Sequence, residues 1–335
     1  MISSHSAHQA LSMSAEPRSH GKSIDCELPK LGNRFSRSRR YRVYLPKDYD
    51  QRRNYPMLMV LHGCRQNHIA MQSISGFDAI ADRESFVVVY PYVTGYWGIR
   101  TKNCWGWWQA RQRRRGFGEV ADLSRIAEAV ARDHSIDQNR LYICGLSSGA
   151  AMAVASLVAY SDLWRSGASV GGVPYGESSR SVQISAWLPL RFKSTTTLIR
   201  IAQRALFDKA PPLLVVQSQA DTVVTAHSGK NLTEIWQHLT GTTSQTPSNI
   251  SASLRGIDWT LKQYPDESGR LQVASLFLGQ IEHGWPGGLP GRFSIADAPN
   301  VSEFIWSFFE AEYESINSKH YASESAIRTH NMRDR

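Results

Sequence analysis

Residues 140–160 read RLYICGLSSGAAMAVASLVAY. Leu141-Tyr142-Ile143-Cys144 is a short apolar run of the kind a buried parallel strand shows. Gly145-Leu146-Ser147-Ser148-Gly149 follows at once, and an Ala-rich run from Ala150 to Tyr160, free of Pro and Gly, predicts a helix. A Gly-x-Ser-x-Gly by itself is a weak signal. Between a strand and a helix it predicts a nucleophile elbow, with Ser147 raised on strained backbone. The chain passes so close to itself there that side chains two positions either side would clash, and Gly145 and Gly149 remove them. The same turn aims N–H groups at the start of the helix toward whatever Ser147 attacks.

A serine hydroxyl needs a base to take its proton, and the base needs an orienting carboxylate. In sheets of this type the three follow in the order Ser, acid, His. Asp221, in Gln219-Ala220-Asp221-Thr222-Val223-Val224, and His283, in Glu282-His283-Gly284-Trp285, fit that order. Each falls just past a predicted strand. His283 stands out among 11 histidines as the one on a late strand-end loop with a glycine beside it. His62 is its main rival, but it precedes the elbow and is expected to hold its own loop. Asp258 and Asp266 compete with Asp221 for the acid. The oxyanion of an acyl transfer needs two N–H donors. Ser148 supplies one, and the loop Leu61-His62-Gly63-Cys64 supplies the other through the Cys64 amide. Cys64 could also bridge to Cys104, and the two roles are compatible.

Outward from this centre, Met57–Leu61, Phe86–Tyr90, Gly167–Val170, Leu213–Val216, Trp259–Tyr264 and Val273–Leu278 are expected as strands, with Tyr41–Leu45 as an outer antiparallel one. Helices are predicted over Ile69–Asp82, around Val120–Val130, near Leu198–Phe207 and Lys230–Leu239, and over Val301–Tyr313. Strands alternating with helices imply an α/β class, a mostly parallel sheet covered on both faces, with ligands at the strands' carboxyl ends. Residues 1–35 are expected to be a mobile polar tail, 36–317 one catalytic domain with 177–210 as a small cap, and 318–335 a disordered tail. The stretch 241–256 reads as a loop.

The blocks His62-Gly63-Cys64-Arg65-Gln66, Tyr90-Pro91, Asn103-Cys104-Trp105, Arg115-Gly116-Phe117-Gly118-Glu119, Gly145-Leu146-Ser147-Ser148-Gly149, Gly172-Val173-Pro174-Tyr175-Gly176 and His283-Gly284-Trp285-Pro286-Gly287-Gly288 resemble the poly(3-hydroxybutyrate) depolymerase family of esterases, which also holds feruloyl and acetylxylan esterases. The resemblance covers roughly residues 41–310. It implies an α/β-hydrolase fold, a triad on Ser147, Asp221 and His283, and no metal or organic cofactor. Gln217-Ser218 departs from the His-Gly pair usual before the acid, and 177–210 matches no block. The expected substrate is an ester, either a hydroxyalkanoate oligomer or polymer or, alternatively, a plant-derived aryl or acetyl ester. Trp105 and Trp285 are candidates to line its pocket, while Trp107 and Trp108 are expected to pack. A non-catalytic binding module on the same scaffold is the reading from a different class.

The 335 residues are 41% hydrophobic and 20% charged, which is ordinary globular composition. No run of roughly 18 apolar residues predicts a membrane span. The start lacks an apolar signal region, so a cytoplasmic enzyme is expected, with secretion as the alternative. A net charge of +9 raises the question of nucleic acid. Much of that excess falls in the two ends, leaving two local clusters, Arg37/Arg39/Arg40/Arg42 and Arg111/Arg113/Arg114/Arg115. Solvated faces are the expected explanation for both, and no nucleic-acid partner is expected.

Overall fold

Met57, Met59 and Leu61 of β3 (Tyr55–Leu61) enter one hydrophobic cluster, while Leu58 and Val60 enter another. β4 (Val87–Pro91) divides in the same way: Val87 and Val89 go to one side, Val88 and Tyr90 to the other. A strand's side chains alternate between faces, so a sheet covered on both sides makes its strands apolar at every position. That explains the uninterrupted runs in the sequence.

The computed structural model describes residues 1–30, 38–93, 102–183 and 187–314. The remaining strands of the sheet are β1 (Lys22–Leu28), β2 (Arg39–Leu45), β5 (Ile136–Leu146), β6 (Ser166–Val170), β7 (Leu213–Ser218), β8 (Ser248–Leu254), β9 (Ile257–Pro265) and β10 (Leu271–Leu278). Their order is β1-β2-β4-β3-β5-β6-β7-β10-β9-β8. The run from β4 to β10 is parallel throughout, and antiparallel pairs extend it at both edges. α4 (Gly118–Asp133), α5 (Ser148–Ala159), α6 (Thr195–Ala205) and α7 (Ala226–Thr240) pack on one face. α1 (Ser4–Ser12), α2 (His68–Ser75), α3 (Phe77–Glu84) and a closing helix over residues 301–314 pack on the other. The parallel centre sends β3, β5, β6, β7 and β10 to one rim, where the loops of interest begin.

Several expectations need correction. Residues 1–30 are not a loose tail: Ile2, Ala7, Ala10 and Leu11 are buried, and β1 pairs outside β2 as the true edge strand. The Gln263 amide clamps Ile2 by accepting from its N–H at 2.7 Å and donating to its carbonyl at 2.9 Å. Such segments look polar because only one helix stripe, or every second strand residue, faces the core. The helix expected over Ile69–Asp82 is two, because Gly76 with φ 70° ends α2 in the left-handed conformation. The expected loop 241–256 contains β8, whose Ile250, Ala252 and Leu254 lean on the core while their neighbours face out. The expected cap is partly layer, since Leu198 and Ala202 of α6 are fully buried. Arg37 and the tail 318–335 lie outside the described residues.

Three arginines of the basic clusters are tied to carboxylates. Arg39 meets Asp122 at 2.7 Å and Arg42 meets Asp25 at 2.7 Å. Arg115 grips both oxygens of Asp162 at 2.6 and 2.8 Å and lies over the Phe207 ring. Because α1 is part of the core, Leu11→Ala should cost about 2–4 kcal/mol in urea denaturation. A truly mobile segment would give no measurable change.

Candidate active site

Ser147 ends β5 with φ 56° and ψ −117°, backbone that a side chain adopts only under constraint. A Cβ on Gly149 would lie 2.6 Å from the His62 carbonyl oxygen and closer still to that of Leu61. A Cβ on Gly145 would lie 2.8 Å from the Leu61 oxygen. Both glycines are therefore required by contact between the elbow and the end of β3. The Ser147 amide donates to the Val170 carbonyl at 2.9 Å, fastening the turn to β6 as well.

Asp221 and His283 meet although 62 positions separate them. The imidazole Nδ1 donates to Asp221 Oδ2 at 2.6 Å, and in the neutral ring that tautomer makes Nε2 the nitrogen able to accept a proton. Asp221 Oδ1 takes the amides of Val223 and Val224, each at 2.8 Å, so the carboxylate is held at both oxygens. Ser147 and His283 line the same cleft. No hydrogen bond joins the hydroxyl to the imidazole here; such bonds often tighten only around a substrate.

The loop after β3 is held from every side. His62 is wholly buried, its Nδ1 donating to the Gly63 carbonyl at 2.8 Å and its Nε2 accepting from the Val93 amide at 3.3 Å. Burial pushes its pKa down to about 4, so the ring stays neutral near pH 7. Gln66 accepts from the Gly63 amide at 2.8 Å. A disulfide joins Cys64 to Cys104, and the Arg65 amide donates to the Lys102 carbonyl at 2.6 Å beside it. The Cys64 and Ser148 amides find no acceptor among the described residues, and both residues line the cleft.

The cleft has a volume of about 270 Å³. Its walls are mainly apolar, with Leu146, Ala151, Val173, Val224 and Phe293 among the lining residues. A serine hydroxyl on a strained turn, a carboxylate-bonded imidazole and two amides without an acceptor among the described residues, all at one apolar cleft, make acyl transfer possible.

The family described as esterase PHB depolymerase matches this chain over residues 39–255. The chain belongs to that family. Poly(3-hydroxyalkanoate) depolymerase C of Paucimonas lemoignei is 34% identical over 122 residues, covering 36% of this chain and 29% of that protein. The matched part therefore spans under a third of that relative's length. Feruloyl esterase B of Thermothelomyces thermophilus is 23% identical over 272 residues, covering 77% of this chain and 87% of its own. Among solved structures, an acetyl xylan esterase from Aspergillus awamori superposes with a TM-score of 0.62 at 14% identity, over 81% of this chain and 96% of that one. That likeness establishes the α/β-hydrolase fold.

Within this esterase-family chain, the tryptophans differ from expectation. Trp285 is fully buried, edge-on to Phe77, and donates to Ser302 Oγ at 2.9 Å. Trp105 is 2% exposed and braces the His62 carbonyl at 3.0 Å. Neither lines the cleft. Trp107 does, held by the Gly106 amide's bond to the buried Glu119 carboxylate at 2.7 Å. Residue type alone gave no means of ranking these rings. The departure at Gln217-Ser218 is filled by useful bonds. Gln217 Nε2 donates to the Val224 carbonyl at 2.8 Å, and Ser218 Oγ donates to the Ile281 carbonyl at 2.5 Å. Those bonds tie the loop of Asp221 to the loop of His283, a role the unusual residues at this strand end could have signalled.

His62 gives a pH test. An unfolded chain protonates this ring near its ordinary 6.5, but the folded chain does so only near 4. Stability from His62 is thus present above 6.5 and is lost as pH falls toward 4, by about 3 kcal/mol. Asp78, pushed up to about 6 by burial, acts oppositely, losing stability as pH rises through the same window. His62→Asn should remove only the first contribution. The difference in unfolding free energy between wild type and variant should shrink by about that amount from pH 7 to pH 4; a constant difference contradicts it.

Proposed function

We propose that this chain is a serine carboxylesterase acting through an acyl-enzyme on Ser147, with hydroxyalkanoate esters such as 3-hydroxybutyrate oligomers or polymer as substrates. The observation that carries the reading is the Asp221–His283 pair opening onto the cleft that holds the Ser147 elbow. Ser147 Oγ attacks the ester carbonyl while His283 Nε2 takes its proton. The carbonyl oxygen becomes an oxyanion and accepts from the Cys64 and Ser148 amides. His283 then gives the proton to the departing alcohol, leaving an ester between the acid and Ser147. Water, deprotonated by His283, attacks that ester, and Ser147 Oγ departs with the proton. Asp221 keeps Nδ1 protonated and favours the imidazolium while it lasts.

A second reading, hydrolysis of aryl or acetyl esters of plant origin, is supported by the long alignment with a feruloyl esterase and by Trp107 on the cleft wall. The Cys64–Cys104 bridge supports an oxidising, extracytoplasmic setting over the cytoplasmic expectation, since reducing compartments keep thiols reduced. No helix among the described residues is long and apolar enough to cross a membrane.

A fluorophosphonate probe should label the wild type and not Ser147→Ala, which should also lose turnover while melting as the wild type does. Asp221→Asn should lower kcat by about 10³–10⁴-fold through the wrong imidazole tautomer. No labelling of the wild type would leave the non-catalytic module as the better account, and labelling of Ser147→Ala would move the nucleophile to another residue. Rates on 3-hydroxybutyrate oligomers and methyl ferulate separate the two substrate readings; turnover of the ferulate alone selects the second.

A further inference from the structure

The cleft is apolar inside, but two cations stand among its lining residues. Arg65 and Lys102 belong to the two loops that the disulfide stitches together, Cys64 and Cys104 having Cα atoms 4.3 Å apart. The Arg65 amide bonded to the Lys102 carbonyl sets the two residues side by side. Arg65 is held further by its own backbone, with φ 63°. Both side chains are exposed. Among the described residues neither makes an ion pair or a side-chain hydrogen bond. A third cation, Arg292, lies 4.8 Å from the ring centre of Phe293, which lines the same cleft.

Among the described residues, no carboxylate lines the cleft to answer these charges. Asp221 sits behind the imidazole and is already taken by His283 and two amides. Arg39, Arg42, Arg83, Arg115, Arg140 and Arg165, by contrast, have carboxylate partners. The two cations belong to residues whose backbones are bonded and which line one cleft, and an anion arriving there can answer both. A guanidinium and an ammonium are also the usual donors to a carboxylate.

We infer that Arg65 and Lys102 form a carboxylate-binding subsite at the lip of the cleft, which receives the free acid end of a hydroxyalkanoate oligomer. This rests on the hydroxyalkanoate reading and sharpens it: an oligomer carries one terminal carboxylate, whereas a neutral sugar acetate or methyl ferulate carries none. The lip adjoins the Cys64 amide, so an acid end held there lies near the ester being cut. The enzyme therefore prefers short chains bearing that end to long or capped ones.

The test compares the 3-hydroxybutyrate trimer as its free acid with the same trimer ending in a carboxamide, which is neutral and adds no ester bond. Wild type should favour the acid in kcat/KM by about tenfold, a modest sum for two partly solvated charge contacts. In Arg65→Gln/Lys102→Gln that ratio should fall to within about twofold, and Arg65→Glu should reverse it. For wild type alone, the ratio should shrink as salt rises from about 0.02 to about 0.5 M, because the screening length contracts to a few ångströms. A ratio near one in wild type, a ratio unchanged in the double variant, or a preference indifferent to salt overturns the subsite and leaves the substrate reading standing. Turnover of neither trimer, with methyl ferulate hydrolysed, removes both. An acetylated xylo-oligosaccharide bearing a glucuronic acid branch serves as a second anion. A larger preference for that acid over its neutral counterpart than for the trimer overturns the assignment to hydroxyalkanoates.

Discussion

At Gly145 and Gly149 the carbonyls of Leu61 and His62 leave no room for a Cβ. That contact fixes the spacing between the Ser147 turn and the loop after β3. It presses the turn carrying Ser147 against the end of β3, and the chain leaving β3 reaches Cys64 two residues after His62. The amides of Ser148 and Cys64 thus open onto one cleft because two neighbouring parallel strands end at the same rim. A looser crossing would separate the Ser147 hydroxyl from the Cys64 amide. The strain at Ser147, of order 1–3 kcal/mol, is offset by the packing of α5. That helix is buried at every position, so it has nowhere to relax.

Around that crossing the molecule uses neutral buried groups for rigidity and leaves charge for the cleft. His62 is uncharged, Gln66 and Gln217 are amides, and Ser218 is a hydroxyl, yet each closes a loop at the rim. A neutral group loses far less than a charged one on burial when its bonds are made. The disulfide and the Arg65–Lys102 backbone bond do the same for the paired loops. The Asp221 carboxylate is buried only because His283 and two amides satisfy it.

Much of this was legible in the sequence, for physical reasons. Strands buried on both faces write themselves as unbroken apolar runs, and the steric demand at the elbow writes itself as Gly145 and Gly149. The order of Ser147, Asp221 and His283 matches strand ends sharing one rim. Elements at the periphery left fainter marks. α1 and β1, with the residues flanking them, bury only Ile2, Ala7, Ala10, Leu11 and Leu28, too few to stand out among Ser, His and Arg. β8 lies at the opposite edge and shows the core only three side chains. The tryptophans were ambiguous in kind. Trp105, Trp107 and Trp285 are all buried, and which of them borders open space depends on bonds to His62, Glu119 and Ser302 that no local pattern encodes.

Charge is the clearest case of a bulk property that misleads until it is resolved into pairs. A surplus of +9 suggests a polyanion, yet three arginines of the conspicuous runs are spent within the fold. Arg39 closes on Asp122, Arg42 on Asp25, and Arg115 on Asp162 and the Phe207 ring. A guanidinium already held by a carboxylate has little field left for a partner outside. Arg65 and Lys102 belong to neither run, and composition gives no reason to notice them. They matter because a disulfide and a backbone bond hold them together at a cleft where no acid among the described residues answers them. What a cation can recognise is thus decided by the pairings it lacks, which only the folded chain reveals.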